Sequence, residues 1–332
     1  MTVSISLSVP SDLIHRAGPS SRCREPRAGD DPAYASGVPN APVRYRSADE
    51  DSARWSGFPF RDGDIVISTR SKTGTTWIQM ICALLVFGTA ELPAPLAELS
   101  PWLDWSIRPS EEVLAQLATQ VHRRFIKTHT PLDGLPSDPR VTYIVAGRHP
   151  LDMAVSLYHQ GDNLDRERMR ELLGPSGPGR TPASRPGLTD WLVAWIHDGA
   201  DPRLSLDSLP GVMMHLTGAW RLRDDPNIVL LHYADLIGDL EGSMRRLADR
   251  LAISIPEGIW PSLVEAATFE SMRSHAEQRV PDPAGVLVDA TAFFRRGRSG
   301  AGAEALMPVA LQEYHDRVAL LAPPDLLDWL HR

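Results

Sequence analysis

Asp64-Ile65-Val66-Ile67-Ser68-Thr69-Arg70-Ser71-Lys72-Thr73-Gly74-Thr75-Thr76-Trp77 is the stretch on which the fold turns. Its first five residues read as a buried strand, and Thr69 to Gly74 as a tight loop. From Thr75 the apolar residues Trp77, Ile78, Met80, Ile81, Leu84 and Leu85 recur at helical spacing, with Gly88 as a natural stop. A helix N-terminus presents unpaired N–H groups and a partial positive charge, so this strand-loop-helix is expected to hold an anion. Gly74 lets the backbone approach closely, Lys72 places an ammonium in the loop, and Thr75 and Thr76 add hydroxyls at the first helical turn. The common nucleotide loop G-x-x-x-x-G-K-[ST] is not matched, because the lysine comes two residues before the glycine and the first glycine is absent.

Outward from this loop the same alternation repeats. Arg124 to Lys127, Val141 to Ala146 and Ile228 to His232 read as strands; Pro150 to Tyr158, Leu240 to Leu251 and Pro308 to Leu321 read as helices. Strand, loop and helix in succession predict a single α/β domain, a central parallel sheet flanked by helices, with ligands beyond the carboxyl ends of the strands. Lys127 and His129 then share one side at a strand end, where a histidine near neutral pKa suits proton abstraction from a hydroxyl. Arg148 ends another strand, and Ser156 follows inside a helix; the two converge on one phosphate only if that helix folds back over the strand end. Arg295-Arg296-Gly297-Arg298-Ser299-Gly300 is the densest basic cluster: a solvated loop, or a clamp if a phosphate lies beside it.

Composition narrows the function. The chain has 332 residues and a formal net charge of −8, which argues against nucleic acid and anionic membranes as partners. Cys23 and Cys82 make neither a disulfide framework nor a zinc spacing, and with no signal peptide legible a cytoplasmic location is expected. The longest strongly apolar stretch, Trp77 to Phe87, is too short for a bilayer. Residues 1–50, rich in Pro, Ser, Arg, Asp and Gly, are expected to be disordered or irregular and draped over the surface, ahead of a domain spanning 51–332. Residues 161–187, with a charged helical piece and Gly-Pro punctuation, read as a mobile lid over the acceptor pocket or as a surface insertion.

Together these segments resemble the cytosolic-type sulfotransferases that use 3′-phosphoadenosine 5′-phosphosulfate (PAPS), over roughly residues 55 to 320. The family's T-Y-P-K-S-G-T-T-W aligns without gaps with Thr69 to Trp77; Lys72, Gly74, Thr75, Thr76 and Trp77 agree, while Arg70, Ser71 and Thr73 depart. K-T-H-x-P appears as Lys127 to Pro131, R-x-P-x-D-x-x-x-S as Arg148 to Ser156, and R-K-G-x-x-G as Arg295 to Gly300, followed by Ala301-Gly302 where the family has D-W. Tyr233 matches a tyrosine after a late strand, and Thr268-Phe269 with Met272 an adenine-side segment.

The resemblance implies a phosphosulfate loop of Lys72, Thr73, Gly74, Thr75 and Thr76. Trp77, Tyr233, Thr268 and Phe269 would lie near adenine, and Arg148, Ser156, Arg295, Arg296 and Gly297 would grip the 3′-phosphate. It also implies His129 as base, Lys127 and Lys72 beside the transferring group, and no metal. The acceptor would be an alcohol or phenol of a small molecule, and the oligomeric state stays open, a homodimer included. Two other readings stand beside this one: a small-molecule kinase on a related phosphate-loop fold, and a non-catalytic PAPS-binding protein.

Overall fold

The computed structural model describes residues 41–174 and 185–332. Strands β1 (Ile65–Ser68), β2 (Phe125–Thr128), β3 (Thr142–Gly147) and β4 (Ile228–His232) form one parallel sheet in the order β2-β1-β3-β4. Alternate residues of β1 point to opposite faces, and both faces are covered. Ile65 and Ile67 pack in the core with helix α1 (Thr75–Phe87) and the helix Trp260–Ala267. Val66 packs on the other face with Trp55, Leu117 and Tyr143. A third cluster joins Val145 to the helices Pro150–Asp162, Leu209–Arg221 and Pro308–Leu321.

The predicted elements form, with shifted ends. β2 begins at Phe125 rather than Arg124, and Asp64 lies just before β1. These two excluded residues are ion-paired to each other, both 2% exposed at the side chain. A buried charge requires a partner, and here each supplies the other at the foot of neighbouring strands. Gly88 ends α1 in the left-handed conformation, as a C-terminal glycine does.

The helix Pro150–Asp162 runs one turn past Tyr158, and the charged piece beyond it forms the helix Arg166–Leu173 with Asp165 accepting from the Glu167 and Arg168 amides. Residues 175–184, the centre of the expected lid, and residues 1–40, with Cys23, lie outside the described residues. Residues 41–50 run across the mouth of the sheet: Tyr45 is buried, the Val43 amide donates to the Asp133 carbonyl, and Glu50 bridges to Trp105. Cys82 is buried in the core, which pushes its thiol up to about 12. No described helix is long and apolar enough to cross a membrane.

The basic C-terminal loop is held by one carboxylate. Asp152, buried on the helix Pro150–Asp162, accepts the Gly300 amide (2.8 Å) and the Gly302 amide (2.8 Å). A Cβ at Gly302 would lie 2.4 Å from Leu151 Cβ, so the small pair Ala301-Gly302 lets the loop backbone lie flat on this helix. Asp152→Ala removes two charge-assisted bonds, one of them from a buried amide, and is expected to cost about 2–3 kcal/mol. Urea unfolding checks this; an unchanged midpoint would mean that the loop is held by other contacts.

Candidate active site

A cavity of about 1210 Å³ opens beyond the carboxyl ends of the strands. Lys72, Gly74, Thr75, Thr76, Trp77, Lys127, His129, Arg148, Ser156, Tyr233, Phe269, Arg295, Arg296 and Gly297 all line it, so residues spread over 226 positions, from Lys72 to Gly297, meet in one place. Two expected residues do not. Thr73 Oγ1 donates to the Arg70 carbonyl (2.7 Å) and shapes the loop from within. Thr268 caps the helix Phe269–Ser274, donating to the Glu265 carbonyl and accepting the Ser271 amide.

The loop is bent to present its cation. Lys72 has φ 64°, a left-handed conformation rarely held by a residue with a side chain and found where function over-determines the backbone. Gly74 has φ 108°, and a Cβ there would meet the Tyr233 ring at 3.1 Å. Lys72 Nζ donates to Gln160 Oε1 (3.1 Å) and lies 3.8 Å from the centre of the Phe293 ring. Burial, reinforced by the charges of Arg148, Lys127 and Arg295, lowers the Lys72 ammonium to about 7.

Arg148 completes this cationic half. It donates to the Lys72 carbonyl (2.9 Å) and to Ser156 Oγ (3.1 Å), and its guanidinium lies 4.2 Å from the centre of the Tyr233 ring. The helix does fold back over the strand end, because Pro150 starts it two residues after Arg148 and one face packs on the sheet. The Nε atoms of Arg148 and Arg295 are buried without a hydrogen-bond partner among the described residues. The gathering of Arg148, Arg295, Arg296 and the Ser156 hydroxyl along one part of the cavity wall suits a multiply charged oxyanion.

The other half holds the candidate base. The His129 ring donates its Nδ1–H to the Thr69 carbonyl, which leaves the Nε2 lone pair free for a proton. Burial, with Lys127 and Arg70 close by, holds the imidazole well below its usual range, so it is neutral at pH 7. Lys127 Nζ lies 3.6 Å from the centre of the Trp102 ring, and burial lowers it to about 8 against the pull of Glu50, Asp104 and Asp49. Trp102 in turn meets the His129 ring edge-on at 4.6 Å and stacks on Trp105. Asp104 is occupied by the Thr128 and Thr130 hydroxyls.

Sequence reasoning missed several of these residues. Gln160, Phe293, Trp102, Asp49, Glu50 and Asp207 line the cavity with no local motif to mark them. Arg70 carried one signal, its departure from the family pattern, and it is buried between His129 and Asp207.

Comparison with known proteins agrees with this geometry. A family model described as a sulfotransferase domain matches residues 62–320. A glycolipid sulfotransferase of Mycobacterium bovis is 42% identical over 87% of this chain and 94% of its own length. The fold is shared with a mouse sulfotransferase complexed with PAP (TM-score 0.62, 19% identity, 84% of this chain and 92% of that one). It is shared also with a retinol dehydratase in complex with androsterone and PAP (TM-score 0.61, 21% identity, 81% and 83%). A family match over most of the chain, together with a relative this similar along nearly its whole length, places the chain in the sulfotransferase family.

Proposed function

We propose that this sulfotransferase, which moves a sulfuryl group from PAPS to a small-molecule hydroxyl, takes that hydroxyl from the head group of a glycolipid and uses His129 as general base. The observation that carries the base is the bond from His129 Nδ1–H to the Thr69 carbonyl, which turns Nε2 into the acceptor nitrogen of a neutral imidazole. The glycolipid acceptor is supported by the name of the M. bovis relative. It is supported also by the make-up of the cavity wall, where Asp49, Glu50 and Asp207 offer hydrogen-bond acceptors and Leu157, Leu164, Met169 and Leu204 offer apolar surface. Leu204 is 74% exposed where it lines the cavity, a place for a chain that leaves the pocket. A cytoplasmic location, with the buried free thiol of Cys82, belongs to the same reading.

PAPS supplies an activated sulfuryl group with a 3′-phosphoadenosine 5′-phosphate leaving group. The chain's own residues then have separate tasks. His129 Nε2 takes the acceptor proton. Lys72 and Lys127 would meet the negative charge that develops around the transferring group. At the start of α1, Thr76 would offer its hydroxyl and the first turn its amides to the 5′ side, while Thr75 Oγ1 is hydrogen-bonded to Thr69 Oγ1 (2.6 Å). Arg148, Ser156, Arg295, Arg296 and Gly297, which line one part of the cavity, would hold the 3′-phosphate, and Trp77, Tyr233 and Phe269 would border the adenine. In-line transfer asks mainly for position and charge, which is what this arrangement of fixed cations provides.

Three outcomes test this reading. PAPS with octyl β-glucoside, glucose and 2-naphthol, followed by mass detection of sulfated product, should favour octyl β-glucoside. Preference for the phenol would overturn the acceptor class, and no product from any of them would favour a binding protein without turnover.

His129→Ala should lose roughly 10²- to 10⁴-fold in kcat while its calorimetric affinity for the 3′,5′-diphosphate product stays near that of the wild type. A mutant with wild-type turnover would remove His129 from the mechanism.

Lys72 ties ligand binding to pH. With its ammonium lowered to about 7 it is mostly neutral at pH 8 in the empty cavity, and an anionic ligand favours the charged form. Binding of the 3′,5′-diphosphate at pH 8 should therefore take up as much as about one proton, and much less at pH 6, where Lys72 is already charged. Calorimetry in buffers of different ionisation enthalpy reads this directly. Lys72→Ala should lose most of the uptake; an undiminished uptake would place the titrating group elsewhere.

A further inference from the structure

Position 70 is where the phosphate loop departs most sharply from the family pattern, with Arg70 in place of tyrosine. Its side chain is only 3% exposed. It makes none of the contacts of Lys72, Arg148 or Arg295. One guanidinium nitrogen donates to the His129 carbonyl, another to Asp207 Oδ1 (2.7 Å), and Nε has no partner among the described residues. The negative charges around it are Asp207, Glu50 and Asp104.

This makes a reciprocal clasp. Residue 69 accepts the ring Nδ1–H of His129 through its carbonyl, and residue 70 donates to the backbone carbonyl of the same histidine. The base is thus gripped at ring and backbone by two consecutive residues at the end of β1. The far end of the clasp is Asp207, whose carbonyl accepts Trp195 Nε1 (2.9 Å) and which directly precedes Ser208, the cap of the helix Leu209–Arg221. Ser205, Leu206 and Asp207 line the same cavity as His129.

We propose that Arg70 is a positioning residue for His129, fixing the base at the end of β2 and tying it through Asp207 to the wall of the acceptor pocket. The proposal rests on the reading of His129 as the base. A planar fork is needed for the task, because two acceptors on different segments must be held at once. Lysine keeps the charge but offers one point of attachment. Near-attack geometry is steep: a displacement near 1 Å costs about 10²-fold in rate. Arg70 therefore acts on kcat through His129, whereas a mere brace would act on folding or on the phosphate loop.

The test uses the full chain with PAPS and octyl β-glucoside. Arg70→Lys is expected to lower kcat about 10- to 100-fold, with 3′,5′-diphosphate affinity within about twofold of wild type. In a His129→Ala background, where the clasp has no base to hold, Arg70→Lys should change the residual kcat by less than about twofold. The paired variant Arg70→Met/Asp207→Leu, in which Asp207 is not left without its ion-pair partner, should fold, bind the diphosphate and stay slow. An acceptor-independent arm reads proton exchange of the His129 Nδ1–H by NMR in the diphosphate complex: slow in the wild type, faster in Arg70→Lys.

The proposal is overturned if diphosphate affinity falls in step with kcat, if Arg70→Lys keeps its full effect without His129, or if exchange is equally slow in both proteins. His129→Ala with unchanged kcat would instead overturn the base itself, a separate result.

Discussion

Like charges crowded at the wall of one cavity, some buried and some half-buried, are the constraint on which the rest of this structure depends. Lys72, Arg148 and Arg295 stand close enough to act on one another at the carboxyl ends of the strands, with Lys127 also in range of Lys72. Crowding such a set is expensive, and the fold offsets part of this with aromatic faces as well as with more distant carboxylates. Lys72 lies over Phe293, Lys127 over Trp102 and Arg148 over Tyr233. Nearby acids are engaged elsewhere: Asp152 by the Gly300 and Gly302 amides, Asp104 by the Thr128 and Thr130 hydroxyls. Lys72 thus stands among like charges with no carboxylate partner among the described residues, whereas Lys127 feels Glu50, Asp104 and Asp49.

That constraint explains why the backbone is strained where it is. A left-handed Lys72 and a left-handed Gly74 turn the loop so that its cation, its carbonyl and the first helical amides converge. The carbonyl of Lys72 accepts Arg148, so the loop that carries one cation also orients another. Asp152 then brings the C-terminal basic loop onto the same helix that carries Ser156. Each cation is placed by an element that also places its neighbour, which links the cationic side of the cavity through one set of hydrogen bonds.

The acceptor side is built differently. Its polar groups include Asp49, Glu50 and Asp207, from the N-terminal stretch and from the turn before the helix Leu209–Arg221, with Arg46 and Arg203 among them. Burial raises the carboxyls of Asp49 and Glu50, so this half bears less negative charge than its formula suggests. Arg70 and His129 lie between the two halves. The cavity is cationic where a phosphorylated donor would lie and rich in hydrogen-bond acceptors where a hydroxylated acceptor would lie, a division that suits transfer from one to the other.

Much of this was legible in the linear chain, because it depends on neighbours in sequence. The strand-loop-helix of residues 64–88, the strand positions and the order of the basic motifs follow from periodicity, glycine placement and short spacings, and the parallel sheet follows from their alternation. What only the tertiary structure decided is which side chains turn inward. Thr73 and Thr268 sit within matching motifs yet spend their hydroxyls on loop and cap bonds. Trp102, Gln160 and Phe293 belong to no motif yet touch Lys127 and Lys72. Arg70 and Asp207 are 137 positions apart, and neither residue carries any local sign of the other. Local pattern is set by the chain's own backbone geometry; contacts across the cavity are set by how the sheet orders its strands and what is left to satisfy a buried charge once they are in place.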